Sequence, residues 1–444
     1  MMNEVRNYQY QELIQKLLEC PSGEEPEILQ AHQQLLDQDF LLTTIAISQQ
    51  LQETGRQKEA EFLTNLATQL QPYIIEKNSS RREEYQNFLL EVLQAEIDSN
   101  SDIKIIYPIL QKHQHLLDES FAQILQYFTF NYAQENPEKK QDIAAIIENL
   151  CIDIKNFPLG RRANNLEIAI TGYETVLKLR PRAESRERWA QTQNNLGNTY
   201  YLRIKGEKGE NIEQAIAAFN LALQEYTRQA FPQNWASTQN NLATAYYSRI
   251  KGDRGENIEQ AIATFHLALQ VRTRDAFPQD WAMTQSNLAT AYKDRIKGDR
   301  RENIEQAIKC YDNALEIKTP EAFPIDCLQI GINLGNLGFK EGNWRLAIRG
   351  YQIAIAAIEI SRSWPTDDEL RNEMLADITI VYENIIQSYI ELKQYDKAIE
   401  YAERSRSRRL VDLVASNDVY SKGEIPAQVQ EYLKDFYQID LASN

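Results

Sequence analysis

The chain has little of what would tie it to several common classes. Its 444 residues contain only four cysteines, at positions 20, 151, 310 and 327, with no paired or metal-ligand spacing. That excludes a disulfide framework and a zinc module, and leads us to expect reduced thiols and a cytoplasmic location. Glycine (16) and proline (13) are too sparse for a low-complexity or collagen-like chain. No apolar run approaches the length needed to cross a bilayer, and the stretch from Met1 to Leu18 has no apolar signal core. Basic charge is outnumbered, giving a formal net charge of -16. Nucleic-acid binding normally needs a basic face, so none is expected, and neither is a membrane role. Finally, no stretch alternates apolar and polar residues as a half-buried strand does.

What the chain has is a repeat. Asn149, Asn195, Asn241, Asn287 and Asn333 stand 46 residues apart, each followed by an apolar residue. Trp189, Trp235 and Trp281 keep the same step, with Cys327 next, as do Asn165, Asn211, Asn257 and Asn303. A period in the tens of residues predicts a stacked solenoid, whose units bury their apolar faces on their neighbours. Within one period the spacing is helical twice. The first helix runs from about Trp189 to Lys205, with Leu196, Gly197 and Tyr200 on one face. The second runs from Asn211 to Arg228, with Ile212, Ala215, Ile216, Phe219, Ala222 and Leu223. Asn211, Asn257 and Asn303 each precede a glutamine by three residues, which predicts a capping box at the start of the second helix. Arg228 and Arg274 mark its end. Pro232, Pro278 and Pro324 push the preceding phenylalanine out of the helical region and open the next unit.

These residues resemble the tetratricopeptide repeat. The segment from Asn195 to Tyr201 reads like that family's first helix, and Ala215, Phe219 and Ala222, with their copies, like its second. Gln193, Gln239 and Gln285 stand where the family often has tryptophan. The family's period is roughly 34 residues; the units here are longer in the hairpin loop and before the next unit, except the one beginning near Leu328. Degenerate units around Asn149 and Asn384 bring the count to six. The expected fold is therefore all-α, a right-handed tetratricopeptide-type helical-hairpin solenoid with an N-terminal helical region. The expected division is 1-135, with one repeat-like hairpin at about 36-70; an array over 138-405; and a C-terminal helical junction and tail over 406-444. In the N-terminal region, Arg81 to Asp98, Lys104 to Leu116 and Asp118 to Ala133 read as helices, with Pro108 and Pro137 as breakers.

A second resemblance covers essentially the whole chain. The segment from Leu18 to Pro26, the approach to the array from Gly160 to Ile170, the Ala-Phe-Pro linkers and the segment from Tyr401 to Leu413 look like the repeat portion of bacterial CHAT proteins. In that family the repeats precede a caspase-like peptidase domain with a His/Cys dyad. Here no cysteine follows Cys327, no histidine follows His266, and the dyad maps onto no residue. The resemblance therefore implies a protein-protein interaction scaffold, the sensor or regulatory part of a CHAT-type system. The alternatives are a fragment of a caspase-like cysteine peptidase whose catalytic domain is absent here, or a peptide-binding co-chaperone. The expected partner is a protein or peptide, with a CHAT peptidase or another component encoded nearby as candidates.

Sites of chemistry are correspondingly few. His113 and His115, two apart, cannot form a paired ligand set as i and i+4 residues would, and His32 and His266 are isolated. The loop from Arg203 to Asn211 and its copies carry glycine and basic residues, but a phosphate cradle needs a preceding strand and a Gly-Lys-Ser/Thr ending. No catalytic, cofactor or metal residue is expected. Helix phase instead sends Gln191, Asn194, Asn198 and Tyr201 to a concave face, with Ser237, Asn240, Thr244 and Tyr247, then Met283, Ser286, Thr290 and Lys293. This lining is mostly neutral, suited to hydrogen-bonding a peptide or helix and not to gripping an acidic tail. Asn195, Asn241 and Asn287 are expected to hold adjacent helices together.

Overall fold

A computed structural model describes residues 2–21, 23–360 and 368–416. Among the described residues there is no strand, and the chain divides into two compact units, Met1–Lys208 and Gly209–Asn444. Each is an all-α stack of helical hairpins.

Unit 1 opens with α1 (Met2–Glu19), α2 (Glu25–Ala31), α3 (Gln38–Glu53) and α4 (Gln57–Ser99). The sequence reading separated a hairpin helix from one starting at Arg81, but α4 is continuous over 43 residues. It runs on through Pro72, whose missing N–H removes one backbone bond, because buried residues on both sides of it, Leu63, Leu66, Ile74 and Tyr85, hold the helix by packing. The helices α5 (Ile103–Lys112), α6 (Glu119–Glu135), α7 (Lys140–Asn156), α8 (Arg162–Leu179) and α9 (Arg186–Leu202) complete the unit. Pro108 lies inside α5 and does not end it. Its missing N–H would have bonded Lys104 in the first turn, a single bond that a helix buried through Ile106 and Leu110 tolerates. Pro137 does mark a break, opening a short 3₁₀ turn.

The N-terminal part of unit 1 is itself duplicated. His32 to Asp37 and His113 to Asp118 both read His-Gln-x-Leu-Leu-Asp, and Phe40 and Phe121 follow at the same distance. The copies fold alike. Asp37 caps α3 by accepting from the Phe40 amide, while the Tyr10 hydroxyl donates to it at 2.8 Å and Arg6 reaches both. Asp118 caps α6 and accepts from the Tyr85 hydroxyl at 2.7 Å, with Arg81 alongside. Tyr10, Phe40, Leu63 and Ile74 center one core; Tyr85, Phe88, Leu110 and Phe121 are buried in the other copy.

Unit 2 contains α10 (Lys208–Ala222), α11 (Pro232–Ser248), α12 (Arg254–Ala268), α13 (Pro278–Lys293), α14 (Arg300–Leu315), α15 (Pro324–Lys340), α16 (Trp344–Ile360), α17 (Asp368–Glu391) and α18 (Tyr395–Ser416). The expected 406-444 tail lies outside the described residues beyond Ser416. As the linker prolines predict, Phe231, Phe277 and Phe323 stand at the N-cap with φ near -140°, and proline takes the first helical position.

The second helix of each hairpin corrects the sequence reading. It begins before the repeated asparagine, capped in α12 by Asp253, which accepts from the Glu256 amide, and in α14 by Asp299, which accepts from Glu302. It also ends earlier, at Ala222, Ala268 and Leu315, so Arg228 and Arg274 lie beyond it. Asn257 is instead buried within the helix, its amide donating to the loop carbonyls of Arg249 and Lys251 at 3.3 and 2.9 Å. Asn303 does the same to Lys297, and in unit 1 Asn165 does so to Phe157 and Leu159. The repeated asparagine is a loop brace and not a cap. It needs a loop that turns back sharply, and Gly160, Gly206, Gly252 and Gly298 supply this with φ near +80°.

Arginine and glutamate link successive hairpins. Arg249, just past α11, forms a two-pronged pair with Glu213 of α10 at 2.7 and 2.9 Å, and Arg295 repeats it with Glu259 at 2.7 and 2.8 Å. The series stops at α15, where Glu341 takes the arginine register. There the loop is short, and α15 and α16 pack at glycine distance: a Cβ on Gly350 would lie 2.2 Å from the Gly335 nitrogen.

Candidate recognition surface

The first helices of the hairpins carry the twelve residues that phase analysis selects. Their inner face is fixed by small and apolar side chains, such as Ala236, Leu242 and Ala243 on α11 and Ala282, Leu288 and Ala289 on α13, all buried. The opposite positions are graded in exposure. In unit 1, Gln191 is exposed and Asn194, Asn198 and Tyr201 are half-buried, with the Lys208 ammonium 5.2 Å from the Tyr201 ring center.

In unit 2 the row is ordered by its own hydrogen bonds. Asn240 is buried and accepts from Asn287 at 3.4 Å. Ser237, half-buried, accepts from the Arg272 guanidinium at 3.0 Å. The hydroxyls of Thr244 and Thr290 bond back to the carbonyls of Asn240 and Ser286, and Thr290 also meets the Tyr311 hydroxyl. Tyr247 donates to Asp294 at 2.5 Å and lies under Arg254, 4.8 Å from its ring center; burial and Asp294 together raise its phenol pKa. Ser286 and Lys293 are half-buried, and Met283 is the most exposed of the row at 41%. Asn195 in unit 1 reaches Glu148 across the hairpin stack, and Asn287 reaches Asn240, so these two asparagines do join neighbouring hairpins.

Two features were not seen in the sequence. One is a groove of about 530 Å³ in unit 1 between α4 and α6, lined by Leu90, Ile124, Tyr127 and Phe128 among others. Tyr127 stands 59% exposed there beside Arg82. The other is Arg272 itself, only 5% exposed, which brings a positive charge beneath a lining read as neutral. Linker position gave no hint that its side chain turns inward.

The cysteines and histidines are otherwise engaged. Cys151, Cys310 and Cys327 are buried, which raises their thiols, to about 11 for Cys310 and about 12 for Cys327, whereas a thiolate nucleophile needs the opposite shift. His113 and His115 lie past the end of α5, not within one helix, with ring centers 6.4 Å apart, and contact separate carboxylates, Glu91 and Glu84. His32 contacts the Ile28 carbonyl and His266 the Tyr292 hydroxyl. Among the described residues no group of three or more potential ligands could hold a metal, and no helix is long and apolar enough to cross a membrane.

No family model matches the chain, and no curated protein matches it. Similar solved structures include BtubC (BKLC) from P. vanneervenii, 17% identical, covering 59% of this chain and 93% of that one with a TM-score of 0.41. A circular tandem repeat protein with novel repeat topology is 16% identical over 93% of this chain and 98% of its own, with a TM-score of 0.31. The P58(IPK) TPR domain is 14% identical over 87% and 98%, with a TM-score of 0.25.

Proposed function

We propose that the chain is a protein-protein interaction scaffold, the sensor or regulatory repeat portion of a CHAT-type system, and that it holds a protein or peptide ligand on the first-helix rows. The observation that carries this reading is the row on α11 and α13. Ser237, Thr244, Tyr247, Ser286, Thr290 and Lys293 all remain partly exposed there, on helices whose other face is fully committed to the core. A row of hydroxyls with an aromatic ring on a rigid element suits recognition of a partner's backbone and side chains. The CHAT assignment draws on the linker and junction segments, from Gly160 to Ile170 and from Tyr401 to Leu413.

The test is co-purification from the native host, followed by titration of the principal partner against Tyr201→Ala and Tyr247→Ala at low and high ionic strength. Loss of the aromatic anchor should weaken binding by about tenfold or more, with little dependence on salt, because few exposed ion pairs are made. Parent-like binding by both variants, or a parent affinity that collapses with salt, would overturn the assignment of this face. A CHAT peptidase among the co-purified proteins supports the system assignment, and a partner set without one argues against it.

A further inference from the structure

Three buried cations share one register of the 46-residue repeat: Arg180 in unit 1, and Arg272 and Lys318 in unit 2. Two of them hold a carboxylate at hydrogen-bond distance. Arg180, fully buried, donates to Glu148 at 2.8 Å, and the other oxygen of Glu148 accepts from Thr192 and Asn195 at 2.9 and 3.3 Å. Lys318 meets Asp326 at 2.7 Å and lies 3.9 Å from the center of the Phe323 ring.

Arg272 lacks the first arrangement and keeps only a longer form of the second, because Asp280 stands where Asp326 stands to Lys318. The register positions of Glu148, Thr192 and Asn195 are taken in unit 2 by Asn240, Thr284 and Asn287. The network keeps its shape, since Asn287 reaches Asn240 much as Asn195 reaches Glu148. It has lost its charge. The Arg272 guanidinium donates instead to the hydroxyls of Thr284 at 3.1 Å and Ser237 at 3.0 Å, and its Nε is buried with no hydrogen-bond partner. The nearest carboxylate, Asp280, is about as exposed as Asp326 but comes only to 3.6 Å, beyond hydrogen-bond distance. Burial lowers the Arg272 pKa, as expected where desolvation outweighs Asp280.

We propose that Arg272, with Ser237 and Thr284, is the receptor for a carboxylate of the bound partner, the group that Glu148 supplies from within the chain in unit 1. The ligand class follows from that internal template: the fold already closes this register with a glutamate side chain. A phosphate would bring a second negative charge against one cation and Asp280. The site is within reach, because Ser237 is half-buried on the recognition row, so the guanidinium ends one hydrogen bond below it. A single, largely buried ion pair is also screened little by salt. The partner's part in this inference rests on the scaffold reading; the anion site does not.

The test therefore uses the full chain without a partner. Its melting temperature is followed while sodium propionate, the side chain of glutamate, is titrated against sodium chloride and sodium phosphate at matched ionic strength. The parent should be stabilized saturably by propionate. Asn240→Glu, which restores the unit 1 arrangement, should fill the site from within and raise the half-saturating concentration by about 30-fold or more. Arg272→Met should do the same, and if it does not fold, Asn240→Glu carries the comparison alone. The proposal is overturned if propionate does no more than chloride, if Asn240→Glu responds like the parent, or if phosphate saturates at a lower concentration than propionate.

Discussion

Asn257 shows how one residue type can serve two purposes that local sequence does not separate. An asparagine three residues before a glutamine fits a helix cap, yet its amide braces carbonyls six and eight residues back, and Asp253 is the cap. Periodicity reports that a position is constrained; the direction of the side chain comes only with the folded loop. Asn257→Ala should therefore cost about 1–3 kcal/mol by leaving buried carbonyls unpaired. Asp253→Ala should cost about 1 kcal/mol as a lost cap. Denaturant unfolding checks both, and a neutral Asp253→Ala would return the capping role to Asn257. A second residue-scale prediction concerns Glu96, buried near Asp153, where desolvation and the neighboring carboxylate push its pKa up from 4.5 to about 7. Asp153 is raised by burial as well. A raised folded pKa means that stability is fully present below about pH 4.5 and is lost as pH climbs toward 7. The loss is on the order of 2–3 kcal/mol for such a shift. Glu96→Gln should flatten that dependence between pH 5 and 8; parallel curves for parent and variant would exclude Glu96 as its source.

At the scale of elements, the hairpins were legible because core spacing, linker prolines and the glycine-bearing loops agree with one another. The continuous α4 was not, since a helix that changes partners along its length keeps no single apolar stripe. The duplication of His32–Asp37 in His113–Asp118 was missed because two copies make no period. Arg249 with Glu213 and Arg295 with Glu259 were also unforeseen, being 36 residues apart and tied to no motif. The α15–α16 hairpin depends on glycine, with Gly331 and Gly338 where α13 has Gln285 and Tyr292, and Gly350 where α14 has Cys310. Gly350→Ala puts a methyl group 2.2 Å from the Gly335 nitrogen and 2.6 Å from its Cα, with backbone that cannot yield. It should destabilize unit 2 by about 1–3 kcal/mol or more through overpacking. Gly342→Ala should act differently, through a strained φ of 66° in open space. Thermal unfolding of the two variants tests this, and a Gly350→Ala chain as stable as the parent would mean that the helices are farther apart than described.

At the scale of the whole molecule, the repeat gives two units built by the same rule, each with its first helices turned partly to solvent. The fold class could be read from the sequence. The charge beneath the first-helix row of unit 2 could not, because Arg272 lies in a linker turn and only tertiary packing directs it inward. The central claim is that these rows bind the partner, and hydrogen exchange on the purified complex tests it most directly. Bound partner should slow exchange in α11 and α13 of unit 2 and in α9 of unit 1, leaving the loops at Gly252 and Gly298 and the α4–α6 groove at their free rates. Protection confined to those loops or to that groove, with α11 and α13 unchanged, would contradict the account.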